Sequence, residues 1–415
     1  MAEEEIDKQK NFIGGLIHGT FLRVSVRLAD IDLILPAFVS SITGSKFLIA
    51  LLPSIYLSAG NLPQTLFANF VEPRARKKPF LYIAILSRVF IWFLMGLFVM
   101  TVGVSRPVIL LSLLFFSLLV YSMTGSLGGV AYTDIIGKSI PDSSRARFYA
   151  SRQVTGSLLA FGAGFLVRYV LGDSFSLGFP NNYGILFLLS AGALLVGVLG
   201  FYLIEEPRGE SRERTPITSY FPGIIATLKN DRELRIFLLV RIVAGFHIMI
   251  IPYYIVFFKE TVGIAGGLIG IYLAARVFGG ALSNVAWGSL AEKNSNLVIL
   301  LCLSLGAITP IVALLITNAG AVYFSVVFVL AGAGMNAREV GFNTQLLEIA
   351  PSDKRATYTG LLGTAIAITA PLPFLAGGLI EFFSFQVAFL FASGIMVLGL
   401  IVLGYDIWRD AFADG

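Results

Sequence analysis

Runs of about twenty mostly apolar residues recur twelve times along this chain, and nothing else in the sequence limits the fold as strongly. They fall near residues 12–42, 45–70, 79–104, 107–137, 144–171, 183–204, 234–260, 264–290, 296–317, 320–348, 355–382 and 385–408. A helix of about twenty residues spans about 30 Å, the thickness of a bilayer's hydrocarbon core. Backbone groups in hydrocarbon must be satisfied within the segment, so these runs predict helices rather than open strands. Composition agrees. Only 13% of residues are charged, against about 25% in soluble domains. The mean hydropathy is +0.84. A chain of 415 residues that is 56% hydrophobic has more apolar surface than a water-soluble core can hide. The class is all-α integral membrane, and the first partner is the lipid bilayer.

The cations sort by loop. Loop 2–3 carries Arg74, Arg76, Lys77 and Lys78, and loop 4–5 carries Lys138, Arg145 and Arg147. Loop 6–7 carries Arg208, Arg212, Arg214, Lys229, Arg232 and Arg235, while Lys293, Lys354 and Arg355 serve the later even loops. Odd loops hold little beyond Lys46, Arg106 and Lys259. This asymmetry predicts cytoplasmic even loops and cytoplasmic termini of a multi-pass protein in the cell membrane. The net charge of +5 is therefore read as topology, with no nucleic-acid partner. The acidic start MAEEEIDKQK predicts no cleaved signal peptide. The lone Cys302 leaves no intrachain disulfide and reads as a packing residue in an apolar run.

The polar stretch EEPRGESRERTPITSY divides the chain in two. The expected organisation is a tail at 1–11, a six-helix bundle at 12–204, a linker at 205–233, a second six-helix bundle at 234–409 and a tail at 410–415. The halves repeat. PDSSRARFYA at 141–150 parallels PSDKRATYTG at 351–360, an offset of 210. PSIYLSAG at 53–60 parallels IGIYLAAR at 269–276, an offset of 216, which also relates Pro36 to Pro252. Glu72 parallels Glu292 at 220. The two prolines suggest a repeated bend in equivalent helices.

With twelve spans as six plus six, a basic central loop and a repeated loop motif, the chain resembles the major facilitator superfamily of secondary transporters over residues 12–408. That family's loop 2–3 motif reads G-x-x-x-D-R-x-G-R-R/K. The equivalent stretch runs from Ala68 to Lys77, with Glu72 as the acid and Arg76–Lys77 as the basic pair; both glycines and the first arginine differ. The second copy keeps Gly288, Glu292 and Lys293. The resemblance implies two bundles related by a pseudo-two-fold axis around a central cavity, and alternating access by rocking. It also implies a cytoplasmic gate of Glu72, Arg76, Lys77, Arg145, Glu292 and Arg355, against the plainer reading that these charges only fix topology. Drug/proton antiporters of the family carry an Arg in the fourth helix and a Gly-Pro motif in the fifth. Neither is present here. Gly156, Ala160 and Gly164 in the fifth span read as a close-packing ladder.

Ionisable groups within spans are functional candidates, because each costs several kcal/mol unless paired or hydrated. The first span holds Arg23, Arg27, Asp30 and Asp32. In an unbroken helix Arg23, Arg27 and Asp30 share a face, while Asp32 lies about 200° round from Asp30. Asp30 is then the expected pathway residue, and Asp32 the expected partner of a cation on another helix, Arg152 or Arg168. Arg88 on the third span is expected in a structural pair. The seventh span offers Arg241 and His247, the eighth Arg276, and the tenth Asn336, Arg338 and Glu339. Glu339 in a low-dielectric site would carry a proton and His247 could relay one, though a lone helical His is more often a packing residue. A wholly structural ion network is the rival reading of the whole cluster. Deep cations outnumber deep acids, which suits a carboxylate or phosphate on the solute.

The expectation is a monomeric transporter of a small anionic or amphipathic solute, coupled to protons, with no cofactor. Two rivals share the fold: a flippase for lipid or lipid-linked substrates and a multidrug efflux antiporter. A membrane enzyme fits poorly. No H-E-x-x-H motif or P-loop occurs, and the two histidines lie far apart in sequence. Gly332 and Gly334 in AGAGMN read as helix packing rather than a nucleotide loop.

Overall fold

Proline and glycine punctuate the apolar runs where the helices start and stop. In the computed structural model, which describes residues 8–71, 73–208, 227–351 and 354–413, the described residues contain helices and no strand. The helices are α1 (Lys8–Leu28), α2 (Ile34–Ser40), α3 (Lys46–Asn61), α4 (Gln64–Val71), α5 (Lys78–Val102), α6 (Pro107–Ser139), α7 (Asp142–Leu171) and α8 (Asn181–Leu203). After the linker come α9 (Arg232–Val243), α10 (Gly245–Val262), α11 (Gly267–Ala291), α12 (Ser295–Leu315), α13 (Ser325–Ile349), α14 (Arg355–Ile368), α15 (Leu372–Phe382) and α16 (Phe385–Ala413). Pro79 and Pro107 occupy first-turn positions of α5 and α6, where a missing N–H is harmless. Asp231 and Asn294 cap α9 and α12 by accepting the N–H groups of Leu234 and Leu297, at 2.9 and 3.1 Å. Gly263 ends α10 at φ +69°, a left-handed conformation that favours glycine.

Ten stretches among the described residues are long and apolar enough to cross a membrane, and they match the third to twelfth expected spans. The first two expected spans are corrected: each is two helices, α1 with α2 and α3 with α4. The first break has a local cause. The buried Asp30 turns its carboxylate onto the backbone, accepting the N–H groups of Asp32 and Leu33, both at 3.0 Å. That arrangement competes with the helical ladder. The second break falls at Leu62–Pro63, where proline cannot continue the hydrogen bonding. The seventh and eleventh spans also break, at Ala244 and at Thr369–Pro371. A Cβ on Gly245 would collide with Thr369 Cγ2, so these two breaks touch. Pro36 and Pro252 lie inside α2 and α10, each beyond its break rather than at it.

Backbone contacts group the described residues into two compact units, one up to Phe38 and from Ile55 to 208, the other from Val39 to Ser54 and from 227 onward. In the first, α1 packs along α8 and α7, and α5 lies between α6 and α8. The α1–α8 crossing is close enough for a Cβ on Gly14 to lie 2.5 Å from the Gly200 carbonyl oxygen. In the second, α11 runs against α13, and α12 against α13 and α16. A Cβ on Gly332 would overlap the Arg276 carbonyl oxygen, and one on Gly279 the Val329 carbonyl oxygen. These glycines let two backbones touch, as the packing reading of AGAGMN requires. Cys302 is buried beside Ala291, Val298 and Ala337.

Residues 39–54 belong to the second unit although the chain on both sides belongs to the first. Polar groups hold them there. The Lys46 N–H donates to Glu381 Oε2 at 3.1 Å, and its ammonium pairs with Glu260. The Tyr253 hydroxyl donates to the Lys46 carbonyl at 2.9 Å. The Lys259 ammonium donates to the hydroxyls of Ser40 and Ser41, at 3.0 and 2.7 Å.

Candidate functional site

The charges of the first span divide between two tasks. Arg23 leaves α1 toward α7, where its guanidinium donates to the Gln153 side chain and, at 3.4 Å, to Ser157 Oγ. Gly156 clears its path: a Cβ there would lie 2.5 Å from Arg23 Cδ. Arg27 Nη1 pairs with Asp30 Oδ2 at 2.9 Å. Asp30 is 1% exposed and its other oxygen is committed to the backbone, whereas the Arg27 side chain is 31% exposed. The helical-wheel argument that set Asp30 and Asp32 on opposite faces fails, because residues 29–33 are not helical. Asp32 is also buried. Neither expected partner forms an ion pair with it: Arg152 lies over Gly19 and the Tyr132 ring, and Arg168 is exposed. Tyr56 of α3 lies in the field of Arg27, Asp32 and Arg88, a neighbour that its apolar setting in the sequence concealed. Arg88 has no acid partner among the described residues; its structural partner is Tyr121. Its Nε donates to the Tyr121 carbonyl at 2.9 Å and its head lies 4.3 Å from the centre of the Tyr121 ring.

In the second unit, Arg241 of α9 is an ionisable candidate with open hydrogen-bonding atoms: its Nε and Nη1 hydrogen-bond to nothing among the described residues. It is 9% exposed, with its head 4.9 Å from the centre of the Phe342 ring. It feels the charges of Arg338 and Glu339, both on α13. Arg241, Arg338 and Glu339 thus lie within one another's field, with Glu339 exposed rather than sequestered. His247 feels Arg338 too, but it is wedged between Gly306 and Gly334, 3.4 and 3.5 Å from where their Cβ atoms would be. That favours the packing reading of this histidine. Asn336 is a structural tie: its Nδ2 donates to the Gly280 carbonyl at 2.6 Å, fixing α13 to α11. Arg276 is buried and engaged.

Of the gate candidates, Glu72 and the side chain of Arg355 lie outside the described residues. Arg76 and Glu292 are exposed and form no ion pair among the described residues. Lys77 is buried and pairs with Asp134 at 2.7 Å, which also holds Lys138 at 2.5 Å. Arg145 has local partners. It pairs with Asp142 at 2.6 Å and donates to the Gly137 carbonyl at 2.7 Å, closing the end of α6. Sequence reasoning missed Asp134 and Glu206. The Glu206 carboxylate accepts the N–H groups of Lys77 and Lys78, at 2.7 and 2.8 Å, and so caps α5. It lies in the stretch read as linker, where an acid carries no signal of its partner.

Chemically, guanidinium groups with open hydrogen-bonding capacity in a dry setting suit a carboxylate or phosphate. A search of curated protein sequences returned no match to this chain. Among solved structures it is similar to the nucleoside transporter NupG, at 13% identity and a TM-score of 0.68, covering 95% of this chain and 98% of that one. It is also similar to a POT family transporter in complex with 5-aminolevulinic acid, at 12% identity and 0.71, covering 94% and 95%. A D-xylose-proton symporter matches at 15% identity and 0.68, covering 95% and 96%. The Major Facilitator Superfamily sequence profile matches residues 19–372 and 236–413. The chain belongs to the Major Facilitator Superfamily of membrane transporters.

Proposed function

We propose that this protein is a secondary active transporter that moves a small anionic or amphipathic solute across the cell membrane, coupled to protons. Bundles 12–204 and 234–409 alternate access as a monomer, with linker 205–233 and both termini in the cytoplasm. The observation that carries the substrate class is Arg241, buried in the field of Arg338 with two guanidinium nitrogens unpartnered among the described residues. An anion supplies the acceptors such a group lacks. The coupling part of this reading rests on the Arg27–Asp30 pair. A proton on Asp30 Oδ2 removes the charge that holds Arg27, freeing a partly exposed cation for the solute. A solved symporter of the same fold, the D-xylose-proton symporter, is in line with proton coupling.

The test is uptake of radiolabelled carboxylates and phosphate esters by proteoliposomes under an imposed pH gradient. Arg241→Gln and Arg338→Gln abolish uptake while the proteins remain monodisperse. Asp30→Asn loses gradient-driven accumulation but keeps solute exchange. Unchanged uptake in both arginine variants removes them from the pathway. Scrambling of labelled lipid without solute uptake decides for a flippase. A cysteine placed at 77 that reacts with an impermeant reagent from outside overturns the topology.

A further inference from the structure

The first unit contains two arginines that the transport reading leaves unused. Helices α1, α5, α6, α7 and α8 border a partly open cavity of about 170 Å³ whose lining includes His18, Arg88, Gly125, Tyr132, Arg152 and Phe201. Arg88 enters from α5 across Gly125, where a Cβ would overlap its Nη2. Arg152 enters from α7 across Gly19, where a Cβ would overlap its Nε. Both side chains follow tracks that only glycine leaves open. The Arg152 head lies 4.9 Å from the centre of the Tyr132 ring, and His18 stacks on Phe201 at 3.7 Å.

What surrounds these cations is the informative part. Among the described residues, neither arginine forms an ion pair with a carboxylate. Arg88 has one carbonyl and one ring face; Arg152 has a ring face. The Nε of Arg152 and the Tyr132 hydroxyl are buried and hydrogen-bond to nothing among the described residues. Ring faces offset only part of the cost of drying a cation. Two guanidinium groups, a phenol and the His18 Nδ1, unpartnered among the described residues, edge an otherwise apolar wall, with no carboxylate among them. The cavity's volume equals about six waters at roughly 30 Å³ each. That admits one oxyanion group with its hydration, not an extended solute.

We propose that this cavity is an oxyanion site, holding a phosphate-type group between Arg88 and Arg152 with the Tyr132 hydroxyl as a further donor. The group arrives either on a phospholipid head or as a free anion; the recognising chemistry is the same. The site shares no residue with the proposed transport cluster, so it is tested by binding rather than by uptake.

Purified full-length protein is titrated with inorganic phosphate against chloride at matched ionic strength, with the melting temperature as readout. In parallel, protein from nanodiscs containing phosphatidylglycerol and phosphatidylcholine is examined by native mass spectrometry for retained lipid. In one arm phosphate raises the melting temperature, which identifies a free anion. In the other, phosphatidylglycerol is retained in preference to phosphatidylcholine, which identifies a lipid head. In either arm Arg88→Gln and Arg152→Gln each weaken binding at least about tenfold, as loss of a charge-assisted hydrogen bond implies. Arg168→Gln, exposed on the same helix as Arg152, changes nothing. Gly125→Ala keeps both charges and displaces only the flexible head of Arg88, so it serves if Arg88→Gln fails to fold. Wild-type protein with neither phosphate-specific stabilisation nor retained anionic lipid overturns the proposal. So does undiminished binding in Arg152→Gln and Gly125→Ala, which would mean that the cavity holds water alone.

Discussion

Asp30 offers a substitution pair that separates backbone capping from charge. Its carboxylate accepts two backbone N–H groups at 3.0 Å and holds Arg27 at 2.9 Å, all at 1% exposure. Asp30→Ala strands two buried donors, at about 1–3 kcal/mol each. It also leaves Arg27 without its acid; because that side chain is 31% exposed, water recovers most of the loss, and about 1 kcal/mol remains. The sum is about 3–7 kcal/mol. At roughly 2–4 °C per kcal/mol for a unit of this size, the melting temperature of the purified protein falls by about 6–28 °C. Asp30→Asn keeps an oxygen that accepts both N–H groups and loses only the charge. Its loss is about 1–2 kcal/mol, or a few degrees. The assay is thermal unfolding in detergent, followed by tryptophan fluorescence and size exclusion. A drop in Asp30→Asn as large as in Asp30→Ala would refute the capping argument, and so would an Asp30→Ala protein that melts with wild type.

Three further outcomes follow from geometry. Gly332→Ala drives a methyl into the Arg276 backbone oxygen, which cannot swing away, so it should lose more than about 3 kcal/mol and most folded yield; normal yield by fluorescence-detected size exclusion would disprove the close approach. Gly280→Ala, whose nearest neighbour is the Asn336 amide at 3.2 Å, should keep most of that yield. Glu206→Ala removes the cap of α5 and should lower stability by about 0.5–2 kcal/mol, read as a melting temperature; no change would show that water caps α5 equally well. Cys302, 1% exposed, should resist maleimide labelling until the protein is denatured, and rapid labelling of native protein would contradict its burial.

The spans were legible because hydrocarbon allows few alternatives: ten of the twelve expected segments recur as long apolar stretches. The break at residues 29–33 was not, because hydropathy averages over a turn. The signal was present in the spacing of Asp30 to the N–H groups two and three residues on, a local motif that competes with helix. That Arg241 lies in the field of Arg338 was not legible, because each span showed its own charge but not which charge of another span it would face. Asp134 and Glu206 stayed hidden because an acid at a helix end looks alike whether it faces water or a helix start 129 residues away. Arg145 has local partners that the gate reading did not name: Asp142, three residues before it, and the end of α6.

The placement of residues 39–54 has a consequence for biosynthesis. This short segment leaves the ribosome long before the rest of the unit that holds it. Until α10 and α15 are made, Lys46 has none of the partners it later finds in Tyr253, Glu260 and Glu381. The second unit therefore cannot be finished from its own stretch of chain. Expressed without the first 54 residues, it would lack a piece of its own interior, and the polar groups that hold that piece would face each other across a gap.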